Sequence, residues 1–145
     1  MLSQDFKEFV QSLNDNSVRY LVIGGYAVAF HGHPRYTKDL DVWIESSREN
    51  ARRMITALAQ FGFASLGLEE NDFLDPNQVI QLGYPPNRID ILTELVGVDF
   101  ESCFAQKIPS TIDGVQVNFI DVQSLKENKK AVGRLQDLAD LEKLK

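Results

Sequence analysis

The fold is decided by residues 20–44, which read YLVIGGYAVAFHGHPRYTKDLDVWI. An apolar run ends at Gly24-Gly25, and a later run alternates aspartates at positions 39 and 41 with apolar residues. This order predicts a buried strand, a tight turn into a helix over residues 26–31, and a second strand over residues 39–44. Because side chains at i and i+2 of a strand point the same way, Asp39 and Asp41 are expected to share one face.

The two motifs suit phosphate and metal chemistry. Glycines at a strand-to-helix turn let the backbone approach a ligand closely, and a helix N-terminus offers free N–H groups to a phosphate. Two carboxylates on one face provide the oxygen ligands that Mg²⁺ prefers. Each motif alone has a simpler interpretation, a tight turn and a solvated strand face. In this order, with thirteen residues between Gly25 and Asp39, they favour phosphoryl or nucleotidyl transfer.

The remaining sequence predicts an α+β fold, a mixed β-sheet flanked by helices. Apolar residues at helical spacing predict an N-terminal helix, a serine at position 46 or 47 is a candidate cap for the next helix, and residues 66–78 are polar and predict a surface loop. Asp113-Gly114 is a strong hairpin signal. Further strands are expected at 79–83, 88–92, 108–112 and 115–120, and further helices near 98–106, 122–130 and 134–144. We expect a single domain over residues 1–145, with its core at about 18–120 and a helical tail at 121–145.

Composition excludes several classes of protein. In 145 residues there is one cysteine, Cys103, which rules out an internal disulfide and indicates a reducing, cytoplasmic compartment. No apolar run approaches the roughly 20 residues that cross a bilayer, so no membrane association is expected. The net charge of −6 disfavours non-specific binding to nucleic acid. The last 23 residues are mildly basic, however, with six basic against four acidic residues.

A third aspartate completes a family pattern. Gly24-Gly25, then Asp39-Leu40-Asp41-Val42, then Asp90 within Arg88-Ile89-Asp90-Ile91-Leu92 resembles the signature of the DNA polymerase beta nucleotidyltransferase superfamily. Segments 24–27, 34–44, 85–90 and 128–140 are also similar to small bacterial nucleotidyltransferases related to the toxin of AbiE-type abortive-infection systems. The resemblance covers most of the chain, from residue 20 to residue 144.

The resemblance implies a two-metal mechanism. Asp39 and Asp41 would bind the Mg²⁺ (or Mn²⁺) that carries the triphosphate of an NTP, and would share a second ion with Asp90. An acceptor hydroxyl would attack the α-phosphate and release pyrophosphate. The helix that starts at Gly25 would hold the β- and γ-phosphates, and Lys129 would neutralise triphosphate charge as a mobile ammonium.

Other residues receive weaker assignments. Arg35, Thr37 and Lys38 precede the aspartate pair and are candidates for contacting substrate phosphate, with loop solvation as the equal alternative. Further candidates have simpler roles: an ion pair of Arg134 with Asp137, a turn for His31 and His33, packing for Trp43 and burial for Cys103.

The acceptor and the catalytic competence stay open. The resemblance points to tRNA or another RNA as acceptor, a small alcohol is the alternative, and a cognate antitoxin or other partner protein is expected if the chain is toxin-like. A catalytically inactive nucleotide-binding or partner-binding module on the same fold is the rival to an enzyme.

Overall fold

The structure, a computed structural model, describes residues 2–32, 39–84 and 87–144. In these ranges the helices are α1 (Gln4–Asp15), α2 (Gly24–Phe30), α3 (Arg48–Phe61), α4 (Phe100–Ala105), α5 (Val122–Val132) and α6 (Leu135–Leu144). The strands are β1 (Tyr20–Ile23), β2 (Leu40–Ile44), β3 (Val79–Leu82), β4 (Ile89–Leu92), β5 (Ile108–Ile112) and β6 (Val115–Phe119). The helices and strands predicted from the sequence are therefore confirmed, with their ends shifted by about two residues at most.

The strands form one mixed sheet in the order β3-β4-β2-β1-β6-β5. Strand β1 is antiparallel to β2 and parallel to β6, whereas β2 is parallel to β4. A parallel pair needs a long crossover, and α3 with the segment after it supplies the crossover between β2 and β4. This topology confirms the predicted α+β class and brings β2 and β4 together although about 45 residues separate them.

The core lies between the sheet and its helices. Leu40, Val42 and Ile44 of β2 are fully buried, as the alternation of the sequence predicts. Helix α1 packs on α3 and β6, and α2 packs on β1 and β2. The N-terminus of α3 is capped by Ser47, whose hydroxyl accepts from the backbone N–H of Asn50 at 3.2 Å. The predicted serine cap is therefore at position 47.

Two turns differ in how well the sequence predicts them. The β5–β6 hairpin turns at Asp113 and Gly114, both with positive φ (52° and 83°), as a two-residue hairpin of this composition requires. The surface loop expected at residues 66–78 is only partly correct. It contains a 3₁₀ turn at Glu70–Phe73 in which Phe73 is fully buried, because one large aromatic side chain anchors an otherwise polar segment to the core.

Membrane insertion finds no support in the described helices. Within residues 2–32, 39–84 and 87–144, every helix is too short or too polar to span a bilayer.

Candidate active site

The three predicted aspartates meet at one end of β2 and β4. Asp39 lies just before β2, and Asp41 and Asp90 are directly paired across the parallel strands. Neighbouring strands are about 4.8 Å apart, so side chains at paired positions project side by side from the same face. The carboxyl group of Asp41 is hydrogen-bonded to that of Asp90. The structure thus brings together three carboxyl groups that are far apart in the sequence.

Gly24 creates the space that Asp41 occupies. It has φ +66°, in the left-handed region that favours glycine, and it directly follows Ile23, which is paired with Asp41 across β1 and β2. A Cβ atom at this position would clash with the carboxylate of Asp41, lying 3.1 Å from its Cγ. The first glycine of the pair therefore lets the backbone pass beside this carboxyl group.

The electrostatics of the site favour a proton or a cation on Asp41. Burial raises the pKa of Asp41 to about 7, and the negative charges of Asp90 and Asp39 act in the same direction. The hydrogen bond with Asp90 raises this pKa further, and the positive charge of Arg88 lowers it only in part. Like charges this close therefore favour a proton or a cation on Asp41.

Arg88 also belongs to the site, although the sequence motifs did not predict it. Its guanidinium group donates to Asp39 Oδ2 at 2.7 Å and to Asp90 Oδ1 and Oδ2 at 3.0 and 3.1 Å. A hydrogen bond from the backbone N–H of Leu40 to the carbonyl of Arg88, 3.0 Å long, fixes the main chain between the two strands. The only sequence signal was its position two residues before Asp90, on the same side of the strand.

The donor set fits a hard divalent cation, but it is not arranged around one. All candidate ligands are carboxylate oxygens, and Asp39 Oδ1 is buried without a hydrogen-bond partner, as expected of an atom that awaits a cation. Among the described residues, however, no group of three or more His, Cys, Asp or Glu side chains is arranged to hold a metal ion. The guanidinium group of Arg88 takes up oxygens of Asp39 and Asp90 instead. A metal ion at this site would therefore compete with Arg88 for these oxygens.

Lys129 is held inside the protein. Its Nζ lies 3.3 Å from Asp137 Oδ1 and 3.0 Å from Asp140 Oδ2, and its side chain is 6% exposed. The predicted mobile ammonium is therefore corrected to a fixed one, because α6 folds back on α5 and covers it with two carboxylates. Contact with a triphosphate would require this pairing to open.

Arg134 is an exposed cation of the helical tail. Its Nε donates to Asp137 Oδ2 at 2.8 Å, which confirms the predicted ion pair, while 76% of its side chain is exposed. Burial opposes ionisation of Asp137, but hydrogen bonds from Arg134 and Lys129 prevail and lower its pKa. The pKa of Arg134 is raised mainly by the hydrogen bond and charge of Asp137, with a smaller contribution from the charge of Asp41. This contribution indicates that Arg134 lies within electrostatic range of the carboxylate cluster.

The other sequence candidates have structural roles or fall outside the described ranges. His31 Nε2 contacts the carbonyl of Ile120 at 2.8 Å, and Trp43 packs edge-to-face on Phe100 with ring centroids 5.1 Å apart. Cys103 is buried, which raises the pKa of its thiol. Gly25 is also buried. The candidates before the aspartate pair lie outside the described residues: Arg35, Thr37 and Lys38, together with His33.

A large groove elsewhere on the surface does not coincide with the aspartates. It has a volume of about 710 Å³ and is lined by residues of α1 and α3 and by Leu82, Gly83, Tyr84, Asn87 and Ile89. Asp5, Glu8 and Asp15 line it, and their charges disfavour the polyanionic triphosphate. The carboxylate cluster therefore remains the candidate active site.

Comparison with known proteins identifies the fold. No family model matches the chain, and no curated protein matches its sequence. Among solved structures, a protein of Thermotoga maritima provisionally assigned as a nucleotidyltransferase superposes with a TM-score of 0.61 at 14% identity, covering 95% of this chain and 88% of that one. An antigenic nucleotidyltransferase-like protein of Paracoccidioides brasiliensis gives a TM-score of 0.55 at 17% identity, covering 99% and 77%. Six strands in a mixed sheet, with the aspartates at the ends of β2 and β4, thus form the α+β fold of the nucleotidyltransferases that the chain resembles.

Proposed function

We propose that this chain is a divalent-metal-dependent nucleotidyltransferase that moves a nucleoside monophosphate from an NTP to an acceptor hydroxyl. The observation that carries the proposal is the pairing of Asp41 with Asp90 across parallel strands, with Asp39 beside them, on a nucleotidyltransferase fold. The space that Gly24 leaves for Asp41 supports it, because a residue with a Cβ atom here would displace the carboxylate of Asp41.

The three carboxylates have separate tasks in the proposed reaction. Asp39, Asp41 and Asp90 would hold Mg²⁺, or Mn²⁺, in two positions, and the bound ions would neutralise phosphate charge and lower the pKa of the acceptor hydroxyl. The acceptor oxygen forms a bond to the α-phosphorus while the bond to the β-phosphate oxygen breaks, so that pyrophosphate leaves. Asp90, which is buried, would accept the hydroxyl proton or orient the group that does.

Arg134 is the best candidate for contacting the triphosphate. Asp137 holds its guanidinium by a charge-assisted hydrogen bond, most of the side chain is exposed, and Asp41 is within electrostatic range. Losing one such contact to a charged group corresponds to about tenfold in affinity. Arg134→Gln is therefore expected to raise the Kd of Mg·ATP about tenfold, measured by isothermal titration, whereas Lys143→Gln, at the other end of α6, should leave it within twofold. Equal affinities of wild type and Arg134→Gln would remove Arg134 from the site.

The acceptor is proposed to be tRNA or another RNA, with a small alcohol as the alternative. The support is the tail: Lys130 in the last turn of α5, Arg134 between α5 and α6, and Lys143 in α6 are exposed, although Lys129 is withdrawn into an internal ion pair. A toxin-like role with a cognate antitoxin is proposed on the sequence resemblance alone.

Titration of nucleotide binding tests the proposed metal dependence. ATP, GTP, CTP and UTP are titrated into the wild type and Asp41→Asn, each with Mg²⁺ and with EDTA. We expect binding that needs Mg²⁺ and that falls at least tenfold in the variant. Equal, metal-independent binding by both proteins would refute the proposal.

A second candidate function is a nucleotide-binding or partner-binding module that does not catalyse transfer. The specific support is the position of Arg88, whose guanidinium neutralises Asp39 and Asp90 without a metal. Tight, Mg²⁺-dependent NTP binding without label transfer to RNA, protein or small alcohols would favour this module over the enzyme.

A further inference from the structure

Arg88 and a metal ion compete for the same carboxylate oxygens. The guanidinium group lies 2.7 Å from Asp39 Oδ2 and within 3.1 Å of both carboxylate oxygens of Asp90. We infer that Arg88 is an internal counter-ion that holds the site in a metal-free state and must withdraw before a divalent cation binds. The inference rests on the proposed function in one respect, the metal site of the three aspartates.

Arg88 and a metal ion would compete for most of the oxygens of Asp39 and Asp90. Mg²⁺ requires near-octahedral oxygen ligands at 2.0–2.1 Å, whereas the guanidinium group already takes up three of the four oxygens of Asp39 and Asp90. The fourth, Asp39 Oδ1, is buried and without a partner. A cation placed between these carboxylates would also face the positive charge of Arg88 at short range.

Arg88 is able to leave without disturbing the fold. Its side chain is 29% exposed, so the guanidinium group already reaches solvent. Its main chain is anchored separately, by the hydrogen bond of 3.0 Å from Leu40 to the carbonyl of Arg88. Rotation of a long side chain about a fixed backbone therefore exchanges the Arg88-paired state for the metal-bound state.

The state in which Arg88 is paired with the aspartates lowers the observed affinity for metal. While its guanidinium group contacts both carboxylates, Arg88 offsets the repulsion between Asp39 and Asp90. A cation can bind only after the contacts of Arg88 are broken. The observed affinity is therefore the intrinsic affinity multiplied by the fraction of molecules in which Arg88 has withdrawn. Removing the guanidinium group is therefore expected to raise the affinity for Mn²⁺ by at least tenfold.

Titration of Mn²⁺ alone, without nucleotide, tests the inference on four proteins: wild type, Arg88→Gln, Arg52→Gln and Asp41→Asn. Arg52→Gln is the matched control, because it removes the same charge at an exposed arginine whose partner is Glu70. We expect at least tenfold tighter binding by Arg88→Gln, a change within threefold for Arg52→Gln, and loss of binding by Asp41→Asn. Equal gains in Mn²⁺ affinity in both arginine variants would show that the effect comes from net charge alone and would overturn the inference.

The other outcomes separate this inference from the proposed function. If the wild type binds Mn²⁺, Asp41→Asn does not, and Arg88→Gln binds no more tightly than the wild type, the inference fails and the metal site stands. If no protein binds Mn²⁺, both the inference and the metal dependence fail.

A second measurement uses the wild type and does not depend on the folding of Arg88→Gln. The Nε–H signal of Arg88, assigned by its loss in Arg88→Lys, is followed by ¹H–¹⁵N NMR during titration with Mg²⁺. We expect this signal to shift and to exchange faster with solvent as the metal binds. An Arg88 signal unchanged at saturating Mg²⁺ would overturn the inference.

Discussion

Replacing Asp41 by asparagine is expected to stabilise the metal-free protein, and increasingly so as the pH rises from 6 to 8. Burial, with the nearby charges of Asp90 and Asp39, raises the pKa of Asp41 from 3.8 in a free carboxyl group to about 7. The folded protein therefore binds this proton more tightly than the unfolded chain does. The stabilisation is fully present below pH 3.8 and is lost as the pH rises through 7.

The magnitude follows from the size of the shift. A rise from 3.8 to about 7 corresponds to about 4 kcal/mol of stability lost between acid and alkaline pH. Most of this stability is lost while the pH is still below 6, and about 1.4 kcal/mol of it is lost between pH 6 and pH 8. Asparagine has no such proton to lose, so the difference in unfolding free energy between Asp41→Asn and the wild type should grow by this amount.

Urea denaturation in EDTA at pH 6, 7 and 8 measures the difference. Asp15→Asn is the control, because Asp15 is an exposed carboxylate at the end of α1. Its difference from the wild type is expected to change by less than 0.5 kcal/mol over the same range, the usual limit for a surface substitution. A difference for Asp41→Asn that is constant with pH, or that shrinks as the pH rises, would refute the account of the carboxylate cluster.

Two further predictions concern the frame of the site. Gly24→Ala should lower Mn²⁺ affinity at least tenfold, because the added methyl group displaces the carboxylate of Asp41. The control is Gly62→Ala, in which alanine also has to adopt positive φ but the space around the added methyl group is open. This variant should lose about 1 kcal/mol of stability and keep its Mn²⁺ affinity. A normal Kd for Gly24→Ala would contradict the proposed packing. Lys129→Ala leaves the buried Asp140 without its cation and Asp137 with Arg134 alone, and should cost about 3 kcal/mol, or roughly 10 °C in Tm. The exposed neighbour Lys130→Ala should change Tm by about 2 °C or less. Similar Tm values for the two lysine variants would show that the buried ion pairs add little stability.

Local patterns were enough to predict the strands, helices and turns. The alternation around Asp39 and Asp41 indicates β2 because its apolar partners must all face the core, and they are fully buried. Asp113-Gly114 predicts its hairpin because the two-residue turn needs positive φ at both positions, which both residues adopt. These features depend on neighbours within a few residues, so one sequence contains the necessary information.

The features that the sequence did not predict depend on contacts between distant segments. Arg88 meets Asp39 only because β2 and β4 pair in one particular register, with Leu40 opposite Ile89. Lys129 is buried only because α6 returns over α5 and brings Asp137 next to it. A charged residue in a sequence favours an exposed position, and no local pattern shows that a partner will be folded onto it.

Transfer of labelled nucleotide tests the central claim most directly. Wild type and Asp90→Asn are incubated with α-³²P-labelled NTPs and with total tRNA or small alcohols, in Mg²⁺ or in EDTA. The account predicts labelled acceptor and free pyrophosphate with the wild type in Mg²⁺, and neither product with EDTA or with Asp90→Asn. Labelled product that persists in Asp90→Asn or in EDTA would contradict it, and so would the absence of any labelled acceptor from a wild-type protein that binds Mg·NTP.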